Sequence, residues 1–381
     1  MKFDTKVLHG YPVIDSDTGA ASIPKYQSST FHQKDFPEKQ EYTYTRFGNP
    51  TVEAAEKALA SLEDASYGIA FSSGMAAITA SLLLLSAGDH LVLGENIYGG
   101  TFQLLTELLN RFDVNYTFVD EKNPLAWEQA IRPNTKMFYL ETPSNPLLTI
   151  TNIQEVCGIA KAHKLLTVCD NTFMTPYYQQ PLKLGVDIVI HSATKFLGGH
   201  SDLVMGFAAT NNGELREKLR KNQKIIGSIP GIEEAWLLLR GIKTLTVRMK
   251  QASHNALILA QRLSTLSCVK TVYYPGLENH PDYSMHFQQA TNGGAVLSFE
   301  LDTEQQVHRL FQRIKIPIVA VSLGGVESIL SYPWTMSHAC MSEQDRLKAG
   351  VTTKLVRLSC GIESVEDLWL DIQQALEGEE K

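Results

Sequence analysis

The feature that most constrains the fold of this 381-residue chain is an alternation of short β-branched runs with helical patterns over residues 67–210. Such alternation predicts βαβ units and a mainly parallel sheet with helices on both faces. Helical patterns lie at 76–85, 102–111 and 153–163. The seven predicted strands are 68–72, 90–93, 115–119, 137–141, 165–170, 187–191 and 204–210. The fold class is therefore α/β.

Length also predicts more than one domain, since a domain takes roughly 150 residues. Residues 1–50 show no clear period and are predicted to form an extended arm. Residues 51–231 form the large domain, 232–264 one long linking helix, and 265–381 a smaller α+β domain. The expected elements of this last domain are strands 269–273, 294–301 and 318–322 and helices 303–313 and 365–376.

Composition and charge exclude several other classes. Lys+Arg 34 against Asp+Glu 41 leaves a net charge of -7, and 44% of residues are hydrophobic, which argues against disorder and against nucleic-acid binding. The longest apolar run, 74–87, is shorter than the ~20 residues that span a bilayer, and residues 1–9 do not form a secretory signal. Five scattered cysteines fit no disulfide framework, and no histidine spacing suggests a metal site. A cytoplasmic location is expected.

Two segments that follow predicted strands carry candidate ligand groups. Ser73, Gly74 and Met75 close a strand and open an apolar helix, where small residues and free amides suit a phosphate as well as they suit a plain tight turn. Ser192 and Thr194 lie in a second segment, which contains Lys195 and ends in a Gly pair; their hydroxyls could donate to the same phosphate.

Lys195 and Asp170 are the candidate reactive groups. A lysine in a closed site can lose its proton and act as a nucleophile, whereas a surface lysine stays protonated. Asp170 ends an apolar strand 25 residues earlier, one crossover away, so both side chains should lie at the same end of the sheet. A buried carboxylate there could keep a heterocyclic nitrogen protonated, or it could simply cap a helix.

Taken together, these motifs resemble one family. The chain is similar, over about residues 42–372, to the pyridoxal-phosphate enzymes of cysteine and methionine metabolism, among them cystathionine γ-lyase, β-lyase and γ-synthase, with bacterial γ-lyases as the nearest likeness. The motifs are 44–51 (YTRFGNPT), 72–76 (SSGMA), 141–146 (ETPSNP), 170–172 (DNT), 192–195 (SATK), 322–328 (SLGGVES) and 356–363 (VRLSCGIE).

The resemblance implies a fold of the aspartate-aminotransferase type (fold type I) with a pyridoxal 5'-phosphate-binding large domain. It implies catalytic roles for Lys195, Asp170 and Tyr98. It implies cofactor contacts from Ser73, Gly74, Met75, Asn145, Thr172, Ser192 and Thr194, and from Tyr44 and Arg46 of a neighbouring subunit. It implies substrate contacts from Arg357, Ser322, Asn145, Tyr98 and Glu327. A homotetramer of dimers that share active sites, built through the N-terminal arm, would follow.

The implied reaction is cleavage of cystathionine to cysteine, 2-oxobutanoate and ammonia, with β-lyase and cysteine desulfhydrase activity. Cystathionine γ-synthase and β-lyase stay open as alternatives. Gly100 stands where methionine γ-lyases have cysteine, and Thr43 and Trp334 depart from common residues, which leaves the distal end of the substrate site open.

Two readings from other classes are also considered. Residues 192–195 formally match the S-x-x-K motif of acyl hydrolases, but the chain has Ser201-Asp202-Leu203 in place of S-D-N and has no K-T-G. A non-catalytic phosphate-binding module would need the Gly74 turn but not Lys195, Asp170 and Arg357 together.

Overall fold

The computed structural model describes residues 1–38 and 40–376. Lys39 of the predicted arm and residues 377–381 of the predicted small domain lie outside the described residues. A seven-stranded sheet has the spatial order β1-β7-β6-β5-β4-β2-β3. Its strands are β1 Tyr67–Phe71, β2 His90–Gly94, β3 Asn115–Val119, β4 Thr135–Glu141, β5 Leu166–Asp170, β6 Ile188–Ser192 and β7 Gly206–Thr210.

The predicted mainly parallel sheet is confirmed. Strands β3, β2, β4, β5 and β6 pair in parallel, whereas β7 runs antiparallel to both of its neighbours, β6 and β1. The central strands are mostly buried and largely apolar, as expected when helices cover both faces. In the register of β4 and β5, Glu141 lies opposite Asp170, so two acids meet at the carboxyl edge of the sheet.

Two of the three helices predicted around this sheet, 76–85 and 153–163, lie close to the observed helices, and several further helices were not predicted. The predicted helix over 102–111 is divided into α4, a π turn at Leu104–Leu108 and a 3₁₀ turn at Leu109–Phe112. The helices up to residue 226 are α1 Phe3–His9, α2 Pro50–Leu62, α3 Gly74–Leu82, α4 Gly99–Gln103, α5 Pro124–Gln129, α6 Ile153–Ala162, α7 Thr175–Tyr178 and α8 Gly213–Ile226.

The single linking helix predicted over 232–264 is wrong. The chain forms α9 Ile232–Ile242 and α10 Leu245–Leu263, separated by two residues. The carbonyl of Gly241 accepts from the Thr244 hydroxyl at 3.1 Å and from the guanidinium of Arg248 at 2.9 Å. The backbone amide of Thr244 also donates to this carbonyl, at 3.2 Å, in a tight i→i+3 turn; together with the two side chains it occupies the acceptor that a continuous helix would offer to the amide of Leu245, so the helix stops and restarts.

A second, five-stranded sheet follows α10, with the order β10-β11-β12-β9-β8. The strand predicted over 318–322 is only two residues long, and two further strands were not predicted: β11 is very short, and β12 lies within a family motif. The elements are β8 Val269–Tyr273, α11 Tyr283–Gln289, β9 Val296–Leu301, α12 Glu304–Arg313, β10 Ile318–Val319, β11 Ile329–Ser331, α13 Glu343–Lys348, β12 Leu355–Ser359 and α14 Val365–Leu376.

The N-terminal arm is not extended throughout. Its first residues form α1, because Val7 packs into the core beside α2, and Lys6 pairs with Asp64. Further along, the Trp236 indole donates to the carbonyl of Ile23 at 3.1 Å, so this part of the arm lies on its own chain. Phe36 is 85% exposed, so at this point the arm does not pack closely on its own subunit.

The described part of the chain was also searched for membrane spans. No helix in residues 1–38 and 40–376 is both long and apolar enough to cross a bilayer.

Candidate active site

A cavity of about 570 Å³ lies at the carboxyl edge of the large sheet, beneath residues 321–323 and 336–340. Its volume falls in the range of about 300–1,000 Å³ that is typical of small-molecule sites. Most of the residues predicted for the site line this one cavity: Ser73, Gly74, Met75, Tyr98, Asn145, Asp170, Thr172, Ser192, Thr194, Lys195, Ser322 and Arg357.

Lys195 lies in the turn that follows β6. Its Nζ donates to Ser322 Oγ at 2.5 Å. Burial lowers the pKa of this amine to about 8, and the positive charge of Arg357 contributes in the same direction. Near neutral pH a sizeable fraction of the amine is therefore unprotonated, which an exposed lysine would not achieve.

Asp170 and Glu141 form a pair of buried acids at the floor of the cavity. Burial raises the pKa of Asp170, while hydrogen bonds from Thr172 and the charge of His191 lower it. Burial raises the pKa of Glu141 well above its usual range, and the neighbouring Asp170 raises it further. Because two adjacent buried carboxyls do not ionise together, we assign the proton to Glu141 and the charge to Asp170.

Glu141 was not predicted as a site residue, although a signal for it existed: like Asp170, it is an acid that ends an apolar strand. Its Oε2 accepts the backbone N–H of Tyr98 at 2.8 Å. Glu141 therefore holds the start of the loop that carries Tyr98. Burial raises the pKa of the Tyr98 phenol, with further contributions from Glu141 and Asp170, so this phenol stays protonated.

The amino end of α3 faces the opposite side of the cavity. Ser73 caps the helix by accepting from the Ala76 amide at 3.0 Å, and the first amides of a helix have no partner within it. The Ser192 and Thr194 side chains line the same wall. Amides, hydroxyls and the positive end of a helix dipole together suit an anionic group such as a phosphate.

Arg357, on β12, is a buried cation at the substrate side. Its Nη1 donates to Asn145 Oδ1 at 2.8 Å and its Nη2 to the carbonyl of Ser322 at 2.7 Å, while its Nε has no partner among the described residues. Burial lowers its pKa to about 10, so it stays charged at neutral pH. A guanidinium has five N–H donors, of which two are used here, so this fixed group keeps enough donors to bind a carboxylate in a bidentate way.

Glu327 is not among the residues that line the cavity, and its contact with substrate stays a prediction. Its Oε1 accepts from Ser201 Oγ at 2.5 Å. The next residue, Ser328, is tied to Glu363 through its amide and hydroxyl, and this anchoring directs the Glu327 side chain toward Ser201.

Tyr44 and Arg46 also lie away from the cavity of their own chain. Arg46 borders a separate groove of about 380 Å³, where it donates to the carbonyl of Lys224 at 3.1 Å and lies 4.7 Å from the ring of Phe47. Tyr44 is 41% exposed.

The roof of the cavity comes from a segment whose contribution was not predicted, apart from the departure noted at Trp334. Met336, Ser337 and Cys340 line the cavity, whereas Trp334 does not. The Arg346 guanidinium lies 4.1 Å from the Trp334 ring and donates to its carbonyl at 2.5 Å. Trp334 therefore anchors the roof from outside, and no residue pattern in the sequence distinguishes that role from direct contact.

The cavity fits pyridoxal phosphate in each of its parts. A desolvated amine can attach an aldehyde, a buried charged carboxylate can pair with a ring nitrogen, and a helix amino end with hydroxyls can hold a phosphate. The Nε–H of buried Arg357, which has no partner among the described residues, is available to bind a carboxylate in the same cavity. Fold and site thus define an α/β enzyme of fold type I that uses pyridoxal phosphate.

Comparisons with known proteins agree. The family model for Cys/Met metabolism PLP-dependent enzymes matches residues 4–377. A cystathionine β-lyase, MetC, of Bacillus subtilis is 51% identical over 375 residues, covering 98% of this chain and 96% of the relative. A cystathionine γ-lyase of the same organism is 47% identical, covering 99% and 100%. The structure of a cystathionine γ-lyase from Lactobacillus plantarum, complexed with L-serine, superposes with a TM-score of 0.96 at 44% identity and 99% coverage of both chains. The chain belongs to the Cys/Met metabolism family of PLP-dependent enzymes.

Within residues 1–38 and 40–376, no three His, Cys, Asp or Glu side chains lie together in a way that could hold an ion. None of the five cysteines, all of which lie in the described residues, forms a disulfide.

Proposed function

We propose that this enzyme is a cystathionine γ-lyase that cleaves cystathionine to cysteine, 2-oxobutanoate and ammonia, with β cleavage and cysteine desulfuration as further activities. The observation that carries the proposal is the convergence of one desolvated amine, Lys195, with the buried cation Arg357 in a single cavity. The relatives named above include lyases of both kinds. Their similarity to this chain supports carbon–sulfur cleavage in general.

The proposed roles follow from the state of each group. The bound cofactor supplies an electron sink for the carbanion at the substrate α carbon. Arg357 binds the α-carboxylate and so places the α-hydrogen near Lys195. Lys195 Nζ removes the proton from Cα; for γ cleavage it must give up that proton to the bound cofactor before it removes the second proton from Cβ, and it later returns a proton to Tyr98. The protonated Tyr98 phenol then donates to the leaving sulfur.

The product analysis tests the regiochemistry. Purified enzyme loaded with pyridoxal phosphate is incubated with cystathionine, and the thiol and keto acid are identified by mass spectrometry. Cysteine with 2-oxobutanoate supports γ cleavage, whereas homocysteine with pyruvate shows β cleavage. Turnover that requires added O-acyl-homoserine and cysteine would identify a γ-synthase instead.

The second candidate is β cleavage as the main reaction. It is favoured by the 51% identical relative, which is named a β-lyase. Elimination at Cβ needs only the α-proton to be removed, so the same lysine suffices for it. The two candidates give different product pairs, which is why the products decide between them.

We also propose that the active enzyme is a cytoplasmic homotetramer of dimers that share active sites. Residues 51–231 would hold the cofactor, 265–381 would close the site, and the arm would reach the neighbouring subunit. Tyr44 and Arg46 would then contact the neighbour's phosphate; this is supported by their exposed position away from their own cavity. A fully active monomer would contradict these roles.

Substitution of Gly100 should disturb the ring of Tyr98. A Cβ at this position would lie 2.6 Å from Cε1 of Tyr98 and 2.7 Å from Sδ of Met75, so both side chains would have to move. We expect Gly100→Ala to lower kcat/KM for cystathionine by about tenfold or more, since small displacements of catalytic groups are costly. Steady-state kinetics measure the effect.

The matched control for this substitution is Gly158→Ala. Gly158 lies within α6, and nothing lies within 4 Å of a Cβ built there. This variant should keep wild-type kinetics and gain about 0.5–1 kcal/mol of stability. Wild-type kinetics in Gly100→Ala would show that the Tyr98 ring has more room than the structure gives it.

Capture of the cofactor by the apoenzyme should depend on pH through Lys195. With a pKa of about 8, about 10% of this amine is neutral at pH 7, against about 0.04% for an ordinary lysine. Only the neutral amine attacks the aldehyde, so the second-order rate should rise about tenfold per pH unit below 8 and level off above it. Stopped-flow absorbance after mixing apoenzyme with pyridoxal phosphate measures this. A rise that continues to pH 10 would contradict the lowered pKa.

A further inference from the structure

A residue outside the cavity binds the turn that carries Lys195, on the side of the turn that faces away from the cavity. Within the turn, the amide of Gly198 donates to the carbonyl of Ala193 and the amide of Gly199 to that of Lys195, both at 2.8 Å. The carbonyls of Phe196 and Leu197 point away from the cavity, toward α10. Arg248 Nη1 donates to the Phe196 carbonyl at 2.6 Å and Nη2 to that of Leu197 at 3.4 Å.

Arg248 also ties this turn to the break between α9 and α10. Its Nη2 donates to the carbonyl of Gly241 at 2.9 Å and its Nε to Thr244 Oγ1 at 3.0 Å. The side chain is 5% exposed and pairs with no carboxylate among the described residues. A buried cation that spends its donors on backbone carbonyls fixes backbone position, since losing any of these bonds leaves a buried polar group unpaired.

Two glycines make this close approach possible. Gly199 has φ +72, and a Cβ there would lie 1.9 Å from Nη1 of Arg248. A Cβ on Gly241 would lie 2.4 Å from the carbonyl oxygen of Gly198. The lysine turn therefore packs directly on the helix junction, backbone against backbone.

The same helix holds the loop that follows Arg357. Asn255 is fully buried, and its Nδ2 donates to the carbonyls of Gly361 at 3.0 Å and Glu363 at 2.9 Å. Gln251 donates to Asn255 Oδ1 at 2.9 Å, which orients the amide for these two bonds. Gly361 follows β12, the strand that carries Arg357.

Arg248 and Asn255 are seven residues apart, which places them on one face of α10 and about 10 Å apart along its axis. We propose that α10 sets the distance between the amine of Lys195 and the guanidinium of Arg357, with Arg248 and Asn255 as the two positioning residues. Neither lines the cavity. The inference rests on the proposed function, because it assumes that these two groups act on one substrate.

The proposal predicts a division of effects between the two ends of the helix. Arg248→Lys loosens the lysine turn, so cofactor binding should weaken and kcat should fall, each about 10–100-fold, with little change in KM. Asn255→Ala loosens the loop beyond Arg357, so KM should rise about tenfold while cofactor binding and its visible band stay as in the wild type.

Hydrogen exchange on the apoenzyme tests the positioning without relying on activity. Arg248→Lys should speed exchange of the amides of 196–199, and Asn255→Ala that of 360–363. Thr244→Val, which removes the acceptor of the Arg248 Nε and one donor to the Gly241 carbonyl but keeps the guanidinium, gives a milder version of the first effect should Arg248→Lys not fold. Arg262→Lys is the control, because Arg262 lies on the same helix and pairs outward with Glu366.

The outcomes separate the claims. Exchange and cofactor affinity unchanged in Arg248→Lys and Thr244→Val would overturn the proposal, as would equal changes in kcat, KM and exchange in all variants including Arg262→Lys. A wild type that fails to cleave cystathionine would refute the proposed function, while the exchange result on the apoenzyme would still decide whether α10 holds the two segments.

Discussion

Replacing Lys195 with alanine should abolish carbon–sulfur cleavage. The lysine is the only described amine that lines the cavity, and it lies 2.5 Å from Ser322 Oγ with its pKa lowered to about 8. Loss of its proton transfers alone should reduce kcat about 10²–10⁴-fold. Steady-state assays of 2-oxobutanoate or pyruvate release from cystathionine measure this loss.

A second measurement distinguishes loss of the amine from loss of the fold. The remaining wall, including the amino end of α3, should still bind pyridoxal phosphate, so Lys195→Ala should bind it reversibly without covalent attachment. Borohydride reduction followed by peptide mapping should label the peptide containing residue 195 in the wild type and nothing in the variant.

Lys195→Arg gives a charge-matched control. It keeps the positive charge but cannot lose its proton near neutral pH, so it should be as inactive as Lys195→Ala. Lys161→Ala, on the exposed surface of α6, should keep wild-type kinetics. Appreciable cleavage by Lys195→Arg would show that another group takes the α-proton.

The arrangement of the large sheet could be predicted because its signal is local. Most of the seven strands are short apolar runs, and buried parallel strands need little more than such a run to be recognised. The antiparallel direction of β7 could not be predicted, since direction depends on which neighbour a strand pairs with and not on its own residues.

The elements that were predicted wrongly or missed lie where contacts of single side chains, or very short segments, determine the backbone structure. The break between α9 and α10 exists because Thr244 and Arg248 take the carbonyl of Gly241, a contact that no helical period reveals. Strand β11 has three residues, too few for any pattern, and β12 is a continuous buried run within a motif.

The site residues that the sequence indicated most directly are those with a reactive side chain at the end of a predicted strand. Asp170 and Lys195 were found from their places at strand ends, and their positions in one cavity follow from parallel topology. Glu327 was placed in the site by resemblance, yet its direction depends on its own contact with Ser201 and on the contact of its neighbour Ser328 with Glu363. Arg248 was missed because it bonds to the backbone carbonyls of Phe196 and Leu197, which lie far from it in the sequence.

The charge at the floor of the cavity should belong to Asp170 and not to Glu141. The two residues lie opposite each other on β5 and β4, and both are buried. Asp170 receives the Thr172 amide at 3.0 Å and feels the charge of His191, while the pKa of Glu141 is raised well above its usual range by burial and by Asp170. We therefore expect Asp170→Asn to lower kcat about 10²–10³-fold, because a neutral amide cannot hold a ring nitrogen protonated.

Glu141→Gln is the matched variant, since it replaces one buried acid by an amide of the same shape. Its carbonyl oxygen can still accept the Tyr98 amide, and a protonated acid loses no charge in the exchange. It should therefore keep kcat within about tenfold of the wild type, as expected for an uncharged hydrogen-bonding group. Parallel kinetics, with the visible spectrum of the bound cofactor, compare the two variants. If Glu141→Gln falls as far as Asp170→Asn, the charge is shared by the pair or sits on Glu141, and the proton has been assigned to the wrong acid.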